Sequence, residues 1–396
     1  MPSILLEIAI ILIFAKIFGE ITQRLKLSSI VGEVLAGVVI GSLFHFRPDH
    51  FLEIIAGIGI LLLVFLIGLQ TKFEEIRSDI YRGSLLAILG SVLTFIGGII
   101  LGDIIFGSLN TGIVIGVAMV STSTAIPIKA LIDRGQIRTP AGKILVIIAV
   151  ADDIIAILAL SLMSTYFSGT AINIWNIVVL FLVMLGFIFF TLTAGSKAVE
   201  KIISFVGYHI KDEQALITAP IAVALATAAL SQRLDIAAVT GAFVAGMIMS
   251  KGVFTKSIII PKLETIGFGF FIPIFFAYSG MLMDLSSINQ TWWIITALLI
   301  VGSATKMVGS GLFSRIFGYN AREQAVIAIS MVPRGEYGIV ISQLALAMGI
   351  ISSDVYTILL SFVVVTIIIT PFLFRLEEKM FSRNVVYKRE KSESYR

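Results

Sequence analysis

Two adjacent carboxylates in an apolar stretch, Val150-Ala151-Asp152-Asp153-Ile154-Ile155, are the residues of this chain best suited to chemistry. The run that holds them starts near Lys143, so Asp152 lies about 14 Å along a helix that rises roughly 1.5 Å per residue. That depth is close to the middle of a hydrocarbon layer about 30 Å thick. Two carboxylates there cannot both be ionised and unpaired at low cost. Such a group holds either a proton or a hard cation, for which oxygen ligands are suited. Competition between the two for one carboxylate is the minimal chemistry of ion exchange. Acids at a helix end would be hydrated instead, and the depth argues against that.

Other polar residues lie at similar depth. Lys306, in Gly302-Ser303-Ala304-Thr305-Lys306-Met307, is near the centre of its apolar run. It is too deep to snorkel easily, and Asp152 or Asp153 is its natural partner. Arg334 and Glu336 are two residues apart and do not face each other on an ideal helix. They are read as structural charges together with Glu33, which with Glu7 is a candidate acid for Arg334. Lys129 is expected to snorkel, and Asp103 and Asp235 to be wetted near span ends. Two prolines sit beside polar clusters, in Ser121-Thr122-Ser123-Thr124-Ala125-Ile126-Pro127 and in Met331-Val332-Pro333-Arg334-Gly335. Proline lacks an N–H, so the carbonyls of Ser123 and Ile329 are expected to lose their helical partners. Those carbonyls and the neighbouring hydroxyls are neutral oxygen ligands. Irregular backbone at such depth is tolerated only inside protein or beside water.

The elements that must position these residues follow from composition. The 396 residues are 58% hydrophobic and 14% charged, against about 25% charged in a soluble domain. Thirteen apolar spans are expected, at 4–21, 30–46, 51–70, 84–107, 111–132, 143–166, 174–194, 213–231, 235–250, 263–283, 291–316, 322–349 and 354–375. The loops after odd-numbered spans and the C-terminal tail hold 23 of the 29 basic residues, whereas the loops after even-numbered spans hold Arg47 and Arg233. Positive loops are cytoplasmic, which predicts an outer N-terminus and a cytoplasmic C-terminus in a multi-pass protein of the cell membrane. The proline-bearing spans 5 and 12 are seven apart and so cross in opposite directions. Interrupted helices at matching positions in two antiparallel halves point to an inverted-repeat transporter, with 174–194 linking six spans to six.

Several classes are excluded. Cysteine is absent, which removes thiolate sites and Cys nucleophiles. No HExxH or other metal spacing occurs, no cofactor is expected, and no basic-aromatic surface suggests nucleic acid. Met1-Pro2-Ser3-Ile4 lacks a basic n-region, so no removable signal peptide is expected. An intramembrane aspartyl protease needs aspartates on two facing helices. Adjacent aspartates on one helix diverge by about 100°, and Ile100-Leu101-Gly102-Asp103 lacks the Gly-x-Gly-Asp signature. A sodium-coupled organic-anion symporter shares the crossed-helix layout, but the buried lysine-aspartate arrangement argues against it.

Taken together, the Ser-Thr-Ser-Thr-Ala-Ile-Pro helix, the Ala-Asp-Asp helix, the mid-span lysine and the Pro-Arg-Gly-Glu helix resemble the second family of monovalent cation/proton antiporters, in particular its NapA-type sodium/proton antiporters. The resemblance covers nearly the whole chain. It implies an all-α fold with two crossed broken helices and a homodimer. Each protomer would have a mobile core domain (84–166 and 291–375), a dimerisation domain made of the remaining helices, and elevator-like alternating access. It implies that Asp153 binds Na⁺ and protons, that Asp152 pairs with Lys306, and that Thr122, Ser123 and Thr124 lie in the unwound part of the first crossing helix. Na⁺ is the expected cation, with Li⁺ or K⁺ as alternatives, and the exchange is expected to be electrogenic. Nucleotide gating, as in the related glutathione-gated potassium efflux systems, is not expected, because only a basic tail of some twenty residues follows the last span.

Overall fold

The computed structural model describes residues 4–25, 27–43, 49–70, 79–123, 125–133, 136, 139–167, 182–183, 186–187, 190–209, 214–234, 236–250, 255–284 and 288–393. The fold is all-helical. Among the described residues, extended backbone pairs only at a single antiparallel bridge, Thr122 with Arg334. Among the described residues, seven helices are long and apolar enough to cross a bilayer, and four shorter apolar helices accompany them. Most of the predicted span 174–194 lies outside the described residues, as do Thr124, Asp235 and the side chain of Lys129.

The chain divides into two compact units. The first comprises Met1–Glu75 and Ile157–Met283. It holds α1 (Ile4–Arg24), α2 (Ser29–Leu43) and α3 (His50–Gln70). In it, Lys16 on α1 lies 3.8 Å from Glu33 on α2 and also donates to the carbonyl of Phe268 at 2.5 Å.

The second unit comprises Ile76–Ala156 and Asp284–Arg396. It begins with α4 (Ile80–Phe106), which Gly107 ends with a left-handed φ of 60°, a conformation that glycine adopts freely. There follow α5 (Leu109–Val120), α6 (Ala125–Asp133) and α7 (Pro140–Phe167), the unit boundary falling within α7. Then come α8 (Asn289–Phe317), α9 (Ala321–Ser330), α10 (Glu336–Ala347) and α11 (Ser353–Glu393). The predicted spans 111–132 and 322–349 are thus each two half-helices.

Local chemistry sets these boundaries. Ser108 caps α5 by accepting from Thr111 N–H at 3.3 Å. Asn320 and Glu323 form a reciprocal capping box that starts α9, satisfying backbone donors that a helix start leaves free. Small residues then let helices approach. A Cβ placed on Gly98 of α4 would sit 2.5 Å from the Cα of Gly116 on α5, and one on Gly309 of α8 would sit 2.5 Å from the Cα of Gly90 on α4. Such stripes are the means by which membrane helices pack without a hydrophobic driving force.

Candidate functional site

The site is built where α4, α7 and α8 meet beside the broken helices. Asp152 projects from α7 and is fully buried, as is Lys306 of α8. The Lys306 ammonium donates to Asp152 Oδ1. Ser91 of α4 donates to the same oxygen at 2.8 Å and accepts from Lys306 Nζ at 3.1 Å. Of the two partners left open for Lys306 on depth alone, the geometry selects Asp152. A buried charge pair is sustained only when further hydrogen bonds complete it, and Ser91 supplies them. Lys306 is held in place by its own helix: it is followed by a π-helical turn, Met307–Gly311, a distortion frequent at functional sites. Thr305 donates to Thr94 Oγ1 at 3.1 Å and Ser310 to the Leu86 carbonyl at 3.0 Å, tying α8 to α4 on either side.

Asp153, the next residue on α7, points about 100° away and is half-buried. The charges that act on it are those of Glu336, Asp152 and Lys306. It is thus the acid of the pair that is not committed to the lysine.

The crossing lies beside these groups. α5 stops at Val120 and α6 starts at Ala125, while α9 stops at Ser330 and α10 starts at Glu336. The two unwound stretches run antiparallel, with Ser123 N–H donating to the Pro333 carbonyl at 2.8 Å. Gly335 makes this approach possible, since a Cβ there would sit 3.0 Å from the Thr122 carbonyl. One of the two prolines, Pro333, acts differently from the sequence expectation. Pro127 lies in the first turn of α6, where a missing N–H costs nothing. Pro333 lies in the unwound stretch itself, and the Ile329 carbonyl still accepts from Val332 N–H at 3.1 Å. That carbonyl is therefore not freed, and it is the Pro333 carbonyl that takes part in the crossing.

Two charges sit at the half-helix ends with the signs that the dipoles favour. Arg334 follows the C-terminal end of α9, and Glu336 opens α10. Arg334 is fully buried. Its backbone N–H donates to Thr366 Oγ1 at 2.9 Å, its Nη2 donates to the Gly302 carbonyl, and its guanidinium lies 5.8 Å from the centre of the Phe362 ring. Among the described residues no acid pairs with it. Glu33, considered as its partner, instead lies in the first unit beside Lys16.

Around the crossing, buried polar atoms without a hydrogen-bond partner accumulate: Ser121 Oγ, Thr122 Oγ1, Asp152 Oδ2, Tyr337 OH, and Nε and Nη1 of Arg334. Buried polar groups are satisfied in nearly all proteins, so the oxygens of this set are the groups left free to coordinate water or a small cation. Sequence reasoning did not single out Ser91 or Tyr337. For Ser91 the signal was a polar residue on the glycine stripe of an apolar helix; for Tyr337 none was available.

A broken-helix crossing beside an aspartate pair and a buried lysine defines an ion-translocating membrane protein. The model of the sodium/hydrogen exchanger transmembrane family matches residues 9–375, and the chain belongs to that family of multi-pass membrane proteins. Among its relatives, the Na⁺/H⁺-K⁺ antiporter GerN of Bacillus cereus is 28% identical over 92% of this chain and 94% of its own. The Na⁺/H⁺ antiporter NhaS4 of Synechocystis is 28% identical over 93% and 95%. The sodium proton antiporter MjNhaP1 of Methanocaldococcus jannaschii has the same fold, with a TM-score of 0.74 over 94% of this chain and 97% of that one, at 14% identity.

Proposed function

We propose that the chain is a secondary-active antiporter, a transporter rather than an enzyme, that exchanges Na⁺ for H⁺ at Asp153 by alternating access. The observation that carries this reading is the unequal use of two adjacent acids. Asp152 is held by Lys306 and Ser91, while Asp153 is half-buried and not held by the lysine, and the hydroxyl oxygens of Ser121 and Thr122 at the crossing are unpaired. A carboxylate so placed serves one proton or one Na⁺ at a time, with Ser121 and Thr122 as neutral ligands. Ser123 and Thr124 belong to the same unwound stretch. All of these residues fall in the second unit, which supports a moving ion-carrying core and a first unit used for dimerisation. The charge of the loops supports an outer N-terminus in the cell membrane.

The test is exchange by the purified chain in proteoliposomes, read with an internal pH dye under imposed Na⁺, Li⁺ or K⁺ gradients. Proton movement driven by Na⁺ is expected, and none with any of the three cations would overturn the proposal. A second reading, K⁺/H⁺ exchange, draws support from the relative that is named for both ions. Proton movement with K⁺ alone would select it.

A further inference from the structure

We propose that Ser91 is a positioning residue of the ion site, a latch that holds Lys306 on Asp152 and so sets how much Na⁺ is needed to part them. This role rests on the antiport reading and deepens it. A serine hydroxyl has one proton to donate. Ser279, Ser330 and Ser342 donate theirs to a carbonyl four residues back in their own helices, the local bond open to such a residue inside a helix. Ser91 donates instead to Asp152 Oδ1, at 2.8 Å, and accepts from the Lys306 ammonium at 3.1 Å. One hydroxyl on α4 thus bonds to the acid on α7 and to the base on α8 at the same time, and all three side chains are buried.

α4 is shaped to hold the lysine along its length. A Cβ on Gly90 would sit 3.3 Å from Lys306 Cδ and 2.2 Å from Ser310 Oγ. The aliphatic stem therefore runs against α4 one residue before the hydroxyl that takes its head. The donors also converge on one side of the acid. Oδ1 of Asp152 takes both Lys306 and Ser91, while Oδ2, equally buried, has no hydrogen-bond partner. Oδ2 is the oxygen from which a cation can draw on Asp152 without first displacing a donor. Drawing Asp152 away parts it from Lys306, and a single hydroxyl then no longer spans the two. The two bonds of Ser91 thus stabilise the closed pair alone, and a ligand that favours the open pair binds against them. Without the hydroxyl that opposition is smaller, so Na⁺ should bind more tightly. The loss of an ordinary packing contact would not tighten binding.

The experiment compares the wild-type chain with Ser91→Ala and Ser91→Thr in proteoliposomes, measuring KM and kcat for Na⁺ separately at one pH, with K⁺ in its place if K⁺ alone drives exchange. The cation concentration that gives half-maximal thermal stabilisation of the detergent-solubilised protein is measured alongside. Ser91→Ala is expected to lower both the KM and that concentration about tenfold, because a hydrogen bond to a charged group is worth at least that factor. kcat should not rise, and the melting temperature without the cation should fall. Ser91→Thr, which keeps the hydroxyl, is expected to stay within about threefold of wild type in both quantities. A merely structural role would lower the melting temperature and leave the KM and the half-stabilising concentration of the folded Ala variant unchanged or raised, and that result would overturn the inference. An equal fall in the Thr variant would overturn it as well, since the hydroxyl would then not be the variable. If Ser91→Ala fails to fold, Ser91→Cys takes its place. A thiol is a weaker donor, so both quantities should fall about threefold, and unaltered values would overturn the inference. Absence of exchange by the wild type would be a failure of the antiport reading, and the stabilisation measurement would still decide the role of Ser91. A wild type that neither cation stabilises would overturn that role too.

Discussion

At the scale of the residue, the two aspartates differ in what surrounds them and so in what they can do. Asp153→Asn removes the carboxylate of the pair that is not committed to the lysine. It is expected to abolish Na⁺-driven proton movement while the protein stays folded, and retained proton movement in proteoliposomes would contradict the assignment. Lys306 poses a sharper question. Its removal leaves Asp152 buried without its contact partner, which costs about 3–5 kcal/mol in comparable cases. Lys306→Gln is therefore expected to lower the melting temperature. It should also change the charge carried. On the antiport reading, a Lys306 that loses its partner when Na⁺ draws on Asp152 is expected to release a second proton. A glutamine carries none, so exchange by Lys306→Gln, measured as current on a solid-supported membrane with a pH dye as control, is expected to be electroneutral. Wild-type current from an active mutant would leave Lys306 as a structural partner alone.

At the scale of the element, the site depends on helices that stop. Thr122 and Arg334 pair as extended backbone because two chain segments come within hydrogen-bonding range at the crossing. Gly335 is the residue at which this tolerance is smallest, with the Thr122 carbonyl 3.0 Å and Ser121 Oγ 3.1 Å from where a Cβ would stand. Gly335→Val is expected to force the strands of the crossing apart, to lower stability by about 1–3 kcal/mol as overpacking does, and to abolish exchange. A thermal melt with a transport assay checks both, and normal transport would show that the crossing widens freely. The prolines, by contrast, were legible as breaks but not in their roles. Helix interruption follows from their chemistry, yet whether a proline kinks a helix, starts one or sits in the gap depends on where the neighbouring helix ends.

At the scale of the whole molecule, one carboxylate serving two ions would make the exchange competitive. The apparent Na⁺ KM is expected to rise as pH falls, approaching about tenfold per pH unit where the proton dominates by mass action. A KM constant between pH 6 and pH 9 would contradict a shared site. The same scale carries the oligomer: a homodimer is expected in mild detergent, checked by light scattering of the purified protein.

Composition and pattern alone established the solvent of this protein and its class. A chain that is 58% hydrophobic must place its apolar spans in lipid, and an acid pair in the middle of one of them has no inexpensive role other than function. The half-helix pattern and the lysine at matching depth were equally legible, because hydropathy reports depth along the membrane normal. It does not report direction around a helix or contacts across it. The resemblance already implied that Lys306 takes Asp152; only the tertiary structure decided that Ser91 completes the pair and that Arg334 is held by the carbonyl of Gly302 with, among the described residues, no acid paired to it. Those outcomes follow from how α4, α7 and α8 rotate and pack through their glycines, a matter of ångströms between segments up to 215 residues apart in sequence.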